Sequence, residues 1–308
     1  MRQALKQLEL EGVISNKQGQ RRRILGQTSG NGKSIEKPVI GFLCPTSTQE
    51  MFGHTSRKIA AIEYHIHQMD IGFELLVRPG CYTKTPAKAL ATLIEDTQIR
   101  YWILQSTNLQ VQKWFQENNI PAVITGTRFD GIDLPFVDLD NAAVCRHAVG
   151  LLLAKKRNTL CYLSISDPLP GDLKSETGFM EGIKRGNGIR GKIARTNGTP
   201  DRICSKMDII LESRFPPDAL LVDKASHVYS VASHLLGKGY RIPEDIAIIC
   251  RTESHDFRYL RPSIAHYSTS TEELAKKTAE QAIKLVNGDK IESGGILIIP
   301  EFEPGRSL

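Results

Sequence analysis

No stretch of the chain approaches the roughly 18 or more consecutive apolar residues of a membrane-spanning helix, and the N-terminus has no apolar signal-peptide core. A membrane partner is therefore not expected, and the cytoplasm is the compartment indicated. Cys-x-x-Cys is absent too. The six cysteines, Cys44, Cys81, Cys145, Cys161, Cys204 and Cys250, are scattered, several within apolar runs, as free buried thiols in a reducing compartment are. There is no Gly-x-Ser-x-Gly elbow for a nucleophilic serine. The eight histidines lack ligand spacing, and His65 and His67, two apart on a helix, face different directions. Two glycine motifs fail as nucleotide sites. Gly32-Lys33-Ser34 ends like a phosphate loop, but Gln27 stands at the first glycine position and Pro38 follows too soon for a helix. Gly186-Asn-Gly-Ile-Arg-Gly191 follows a helix and leads into a strand, the reverse of the order that puts a helix N-terminus on a pyrophosphate. No enzymatic activity, cofactor or metal is expected.

What is present is unevenly distributed. Of a net charge of +6, residues 1–25 hold +4, from Arg2, Lys6, Lys17, Arg21, Arg22 and Arg23 against Glu9 and Glu11. The basic character belongs to this segment, which is where a nucleic-acid partner is sought. Met1, Leu5 and Leu8 share one helical face, and Gly12 is placed to end that helix. Val13-Ile14 and Ile24-Leu25 flank a polar turn at Gly19 and predict a hairpin. The order Arg-x-Ala-Leu-x-x-Leu-Glu-x-Glu-Gly-Val-Ile…Gln-Gly resembles the recognition helix and wing of GntR-type regulators. That resemblance assigns DNA contact to Arg2, Lys17, Gln18, Gly19, Gln20, Arg21 and Arg22. It departs at Arg21, where family wings carry a second glycine, and the helices that support the reader are not in the sequence, so an operator partner is expected only where the winged helix is complete. Residues 26–37 read as a flexible linker.

From Val39 onward apolar runs alternate with amphipathic helices, the pattern of a doubly wound parallel sheet. Strands are predicted at Val39–Leu43, Phe73–Val77, Tyr101–Leu104 and Ala122–Ile124, with helices around 56–69, 87–95 and 109–117. A second series follows Val137-Asp-Leu-Asp-Asn141, with strands at Leu160–Leu163, Ala219–Val222 and Ile246–Ile249 and helices around 142–154, 174–185, 202–212 and 226–237. Two series imply two lobes with a cleft between them, a preferred place for a small ligand.

Lys238-Gly-Tyr-Arg-Ile-Pro-Glu-Asp-Ile-Ala-Ile-Ile-Cys250 resembles the signature near the end of the effector domain in the lactose-repressor/galactose-repressor family. Asn119–Thr125, Val137–Asn141, Thr177–Ile183, Phe215–Val222 and Glu301–Ser307 fall in family order as well. The resemblance implies an α/β, type I periplasmic-binding-protein-like fold of two doubly wound parallel sheets, here preceded by a partial winged helix-turn-helix. It places the effector domain at 38–308, with lobe 1 at about 38–137 and 271–288 and lobe 2 at about 138–270 and 289–308. Crossovers are implied near Val137–Asp138, Ala265–Ser270 and Asn287–Lys290, and a homodimer is the family expectation.

In parallel α/β sheets, ligands meet the carboxyl ends of strands. The candidates are Thr46, Ser47, Gln105, Ser106, Thr125, Arg128, Ser164, Asp167, Asp223, Lys224, Arg251, Thr252 and Thr269. Carrying family sugar contacts over by position puts Ser175 where an arginine is expected, Lys224 in place of an asparagine and Thr252 in place of an aspartate. Lys224 and Arg251, if both face the cleft, favour an acidic ligand such as a sugar acid or sugar phosphate over a neutral sugar. Two readings follow: a regulator that senses a small effector and modulates DNA binding, or a sensor module without a working reader.

Overall fold

The computed structural model describes residues 14–15, 23–24, 37–46, 53–291 and 294–308. Two compact units result, Met1–Lys37 and Pro38–Leu308. In the first, β1 (Ile14–Ser15) pairs antiparallel with β2 (Arg23–Ile24), with Ile14 opposite Ile24, in the place where the hairpin is expected. The helix expected over residues 1–11, the wing residues Lys17 to Arg22 and most of the linker lie outside the described residues, as does Ser47.

The second unit contains two six-stranded sheets. The first is built from β3 (Val39–Cys44), β4 (Gly72–Val77), β5 (Tyr101–Gln105), β6 (Ala122–Thr125) and β7 (Phe136–Leu139). All five pair in parallel in the order β7-β6-β5-β3-β4. Helices α1 (Gly53–His67), α2 (Ala87–Thr97) and α3 (Leu109–Glu117) connect them. The central strands β3, β5 and β6 are mostly apolar because helices bury both faces. Phe42, Trp102 and Phe115 are fully buried, each aromatic contributing about 1.5–3 kcal/mol or more of transfer free energy. Gly41 is required where it stands, since a Cβ there would lie 2.8 Å from the Trp102 ring.

The second sheet comprises β8 (Thr159–Ile165), β9 (Arg190–Thr196), β10 (Ala219–Val222), β11 (Ala247–Cys250), β12 (Ala265–Ser268) and β14 (Glu301–Glu303). Its helices are α4 (Asn141–Ala154), α5 (Pro170–Arg185), α6 (Pro200–Leu211) and α7 (Ala225–Gly237). Local chemistry starts α4, where the Asp140 carboxylate accepts from the Ala143 N–H at 2.8 Å. In α8 (Thr271–Asn287), Ser270 caps the start and Gly288, at φ 72°, closes the end. The family phrase around Gly178 has a packing cause: a Cβ there would fall 2.2 Å from the Ala142 carbonyl oxygen, so α4 and α5 cross backbone to backbone. Residues 186–189 form the turn between α5 and β9, with Gly188 at φ 71°, and Gly191 already lies in the strand.

Two boundaries differ from those expected. β7 reaches Leu139 within the first sheet, so the first crossover follows Leu139 rather than Val137. β13 (Ile296–Ile298) also joins the first sheet, parallel to β7, although residues after 288 are assigned by the sequence to lobe 2. The cause is the open edge of β7, which buries Ile298 against the first core. The chain leaves that sheet at Pro300, which has no N–H to extend the ladder, and returns as β14, antiparallel to β12. Helix α8 packs on α1 and on the first sheet.

Candidate functional site

The carboxyl ends of both sheets and the N-termini of α4 and α5 converge on the inter-lobe cleft. One cavity there, about 220 Å³, is lined by Thr127, Asp138, Asn141, Asp172, Lys224 and Arg251 among others. A second, about 350 Å³, shares Ser106, Thr125, Asp138, Lys224 and Arg251 with it and adds Lys58, Gln105 and Glu253.

Arg251 organises the second lobe's wall. Its Nε donates to Asp223 Oδ1 at 2.6 Å, Nη1 to Asn141 Oδ1 at 2.5 Å and Nη2 to Asp172 Oδ1 at 3.4 Å. Lys224 Nζ lies 3.3 Å from both Asp172 Oδ1 and Asp223 Oδ2. The Tyr162 hydroxyl donates to Asp223 Oδ1 at 2.7 Å. Burial alone raises the Asp223 carboxyl, but Arg251 foremost, then Lys224 and Tyr162, outweigh it and bring it down to about 2. Asp172 is fixed from its own helix, since Oδ2 accepts the Leu169 N–H at 3.0 Å at the start of α5. Two cations therefore meet two carboxylates, and the wall is close to neutral.

The first lobe contributes a different pair. Burial raises the Asp138 carboxyl, against the hydrogen bond it accepts from the Thr127 hydroxyl. Burial pulls the Lys58 amine down to about 8, with the Asp138 charge opposing. Lys58 Nζ donates to Thr125 Oγ1 at 3.4 Å. Gln105 is buried, and its Oε1 meets no donor among the described residues.

Of the residues expected from sequence, Gln105, Ser106, Thr125, Lys224, Arg251, Thr252 and Thr269 line these cavities. Thr252 also accepts from the Ala225 N–H at 3.0 Å and so caps α7. Asp223 is fully buried behind Lys224 and Arg251 and acts on the cleft through them. The other described candidates line neither cavity. The Arg128 guanidinium lies 5.0 Å over the Phe136 ring and 3.8 Å from Asp133. Ser175 is buried and donates to the Gly171 carbonyl at 2.9 Å, a bond within its helix that leaves no donor for a ligand. Ser164 is buried beneath the strand end, Asp167 is exposed in the following loop, and Thr46 takes the Cys44 thiol on its carbonyl. Lys224 and Arg251 both face the cleft, and each is paired there with Asp172 and Asp223.

The strand-end rule missed Lys58, which arrives from a helix face, and Asp172, in the first turn of α5. Asp138 and Asn141 were readable, since both lie in the Val137–Asn141 phrase at the end of a strand. Among the described residues no group of acidic, histidine and cysteine side chains is arranged to hold a metal, and no helix is long and apolar enough to cross a membrane. The six thiols are free.

Two parallel-sheet lobes with polar groups converging on the cleft define the type I periplasmic-binding-protein-like class. Residues 149–308 match the family model of the periplasmic binding protein-like domain, and the chain belongs to that family. It is 22% identical over 207 residues to catabolite control protein A of Streptococcus mutans, a match covering 61% of this chain and 57% of that relative, so the chain spans little more than half the relative's length. A LacI family transcriptional regulator from Bifidobacterium animalis subsp. lactis superposes with a TM-score of 0.75 at 18% identity, covering 87% of this chain and 97% of the other. The transcriptional regulator CelR in complex with cellobiose gives 0.75 at 15% identity, covering 99% of this chain and 90% of the other. At such identities the likeness is one of fold.

Proposed function

We propose that this chain is the sensing part of a transcription regulator whose inter-lobe cleft binds an uncharged polyhydroxylated ligand, of the sugar class, and passes its occupancy to a DNA reader. The observation that carries this is the charge balance of the cleft wall: Arg251 and Lys224 are each held by Asp172 and Asp223. Paired carboxylates and cations, backed by the amide of Asn141, form the donor–acceptor array that grips vicinal hydroxyls. A ligand carboxylate or phosphate would meet Asp138, Asp172 and Glu253 at close range, an unfavourable encounter. Relatives support the class: catabolite control protein A is a regulator by name, and CelR is complexed with cellobiose.

Ligand closure of the lobes biases a two-state element, and the basic segment holding Arg2 and Lys17 to Arg22 contacts DNA in a cytoplasmic homodimer. Thermal-shift measurement with a panel of neutral sugars, alditols, sugar acids and sugar phosphates tests the ligand class. Stabilisation by neutral members is expected, and stabilisation by acids or phosphates alone would overturn it. Salt-dependent DNA binding tests the reader. Ligand stabilisation without any DNA binding would leave the sensor and remove the reader.

A further inference from the structure

Among the described residues three cations line the cleft cavities, and they are not equivalent. Arg251 and Lys224 are tied to carboxylates at 2.6–3.4 Å. Lys58 forms no ion pair among the described residues, and its one hydrogen bond is the 3.4 Å contact with Thr125 Oγ1. It sits on α1, whose Ile59, Ile62 and Ile66 anchor the helix in the core while Lys58 turns to the 350 Å³ cavity. In that cavity Gln105 Oε1 is a buried acceptor without a donor among the described residues, a group that calls for a ligand hydroxyl or water. Asp138 lines it as well, beside Thr127.

From this arrangement we infer that Lys58 is a carbonyl-reactive amine, which forms a reversible imine with an aldehyde or ketone group of a hydroxylated ligand held in the cleft. The inference rests on the cleft being the ligand site. A half-buried lysine that faces a cavity and has no salt bridge among the described residues is a setting in which an amine serves as a nucleophile. Burial draws Lys58 down to about 8, so a usable share is neutral near physiological pH. In the reaction the Nζ lone pair attacks the carbonyl carbon, the C–N bond forms as the C=O π pair moves to oxygen, and one proton passes from nitrogen to that oxygen to give a neutral carbinolamine. Loss of the hydroxyl as water, with its proton supplied by Asp138 or solvent, and loss of the nitrogen proton leave the imine. Water reverses each step, and no oxidant or reductant is needed. Asp138 is suited to the proton transfer because burial raises its carboxyl. Reducing sugars present such a carbonyl in their open-chain form, whereas alditols do not.

The test is reductive trapping of the full chain with D-glyceraldehyde and sodium cyanoborohydride, read by intact mass and peptide mapping. One adduct per chain, on Lys58 ahead of the surface lysines and slowed by excess glycerol, is the expected result. Lys58→Arg should abolish that adduct while other lysines keep their slow background labelling, and Lys58→Gln serves if the arginine variant does not fold. Labelling in proportion to exposure, or centred on Lys224, would overturn the proposal. Stabilisation by neutral sugars without a Lys58 adduct would overturn the imine alone. Neither stabilisation nor adduct would overturn the cleft reading along with it.

Discussion

The guanidinium of Arg251 and the carboxylate of Asp223 meet at 2.6 Å with side-chain exposures of 8% and 0%. They lie at the ends of adjacent parallel strands, where Val222 pairs with Cys250, so the register places them side by side. A pair this buried is costly to desolvate and stabilises little over apolar residues of the same volume, yet removing one partner alone is strongly destabilising. Arg251→Ala strands the Asp223 charge, and a loss of about 3–5 kcal/mol in urea unfolding is expected. Replacing both with apolar residues of similar volume should recover most of that loss. A loss below about 1 kcal/mol for Arg251→Ala would show that water reaches the pair.

Acid should reveal the same contact. Asp223 titrates at about 2 in the folded chain and near 3.9 when unfolded. Its contribution to stability is complete above the unfolded value and disappears as the pH falls through the folded one. Asp223→Asn should be less stable at pH 7, with a shallower decline between about pH 4 and 2, as measured by denaturation across that range.

Lys58 gives a slope of the same sign on the alkaline side, but here the fold disfavours the charged form. Its folded value is about 8, against roughly 10.4 for a free lysine. Between those values the unfolded chain binds more protons, so stability should rise with pH from about 8 toward 10. Lys58→Met should flatten that rise. An unchanged slope would show that the amine is not desolvated.

Two glycines on crossing helices separate packing from propensity. Gly178→Ala would drive a methyl into the Ala142 backbone at 2.2–2.8 Å and should destabilise by about 1–3 kcal/mol. Gly150, in the interior of α4, has nothing within 4 Å of its virtual Cβ. Gly150→Ala should therefore stabilise by about 0.5–1 kcal/mol. Thermal denaturation of the two variants compares them directly.

Ligand charge preference should follow Asp172. Asp172→Asn leaves Arg251 and Lys224 with one carboxylate between them, so binding should shift toward sugar acids relative to neutral sugars. Calorimetric titration of gluconate and glucose against the variant and the parent checks the ratio. A ratio unmoved by the substitution would show that the ligand does not sense this wall.

The sequence determined the sheets and the stretch that first indicates the cleft. Strands buried on both faces must be continuously apolar, and Ala219–Val222 and Ala247–Cys250 read that way without any tertiary information. Helix starts were less legible: the helix expected around 174–185 begins at Pro170. β13 was not legible, since three residues pairing with β7 carry no periodic signal of their own. Charge in the cleft was beyond reach for a similar reason. Lys224 and Arg251 announce two cations, but the carboxylate they share comes from Asp172, 52 residues before Lys224 and 79 before Arg251. Lys58 was invisible because a helical lysine is ordinarily solvated, and only packing of α1 on the first core turns it into the cavity. Sequence set which groups exist and which strands carry them. Tertiary structure decided which charges cancel, because cancellation depends on distances between residues far apart in the chain.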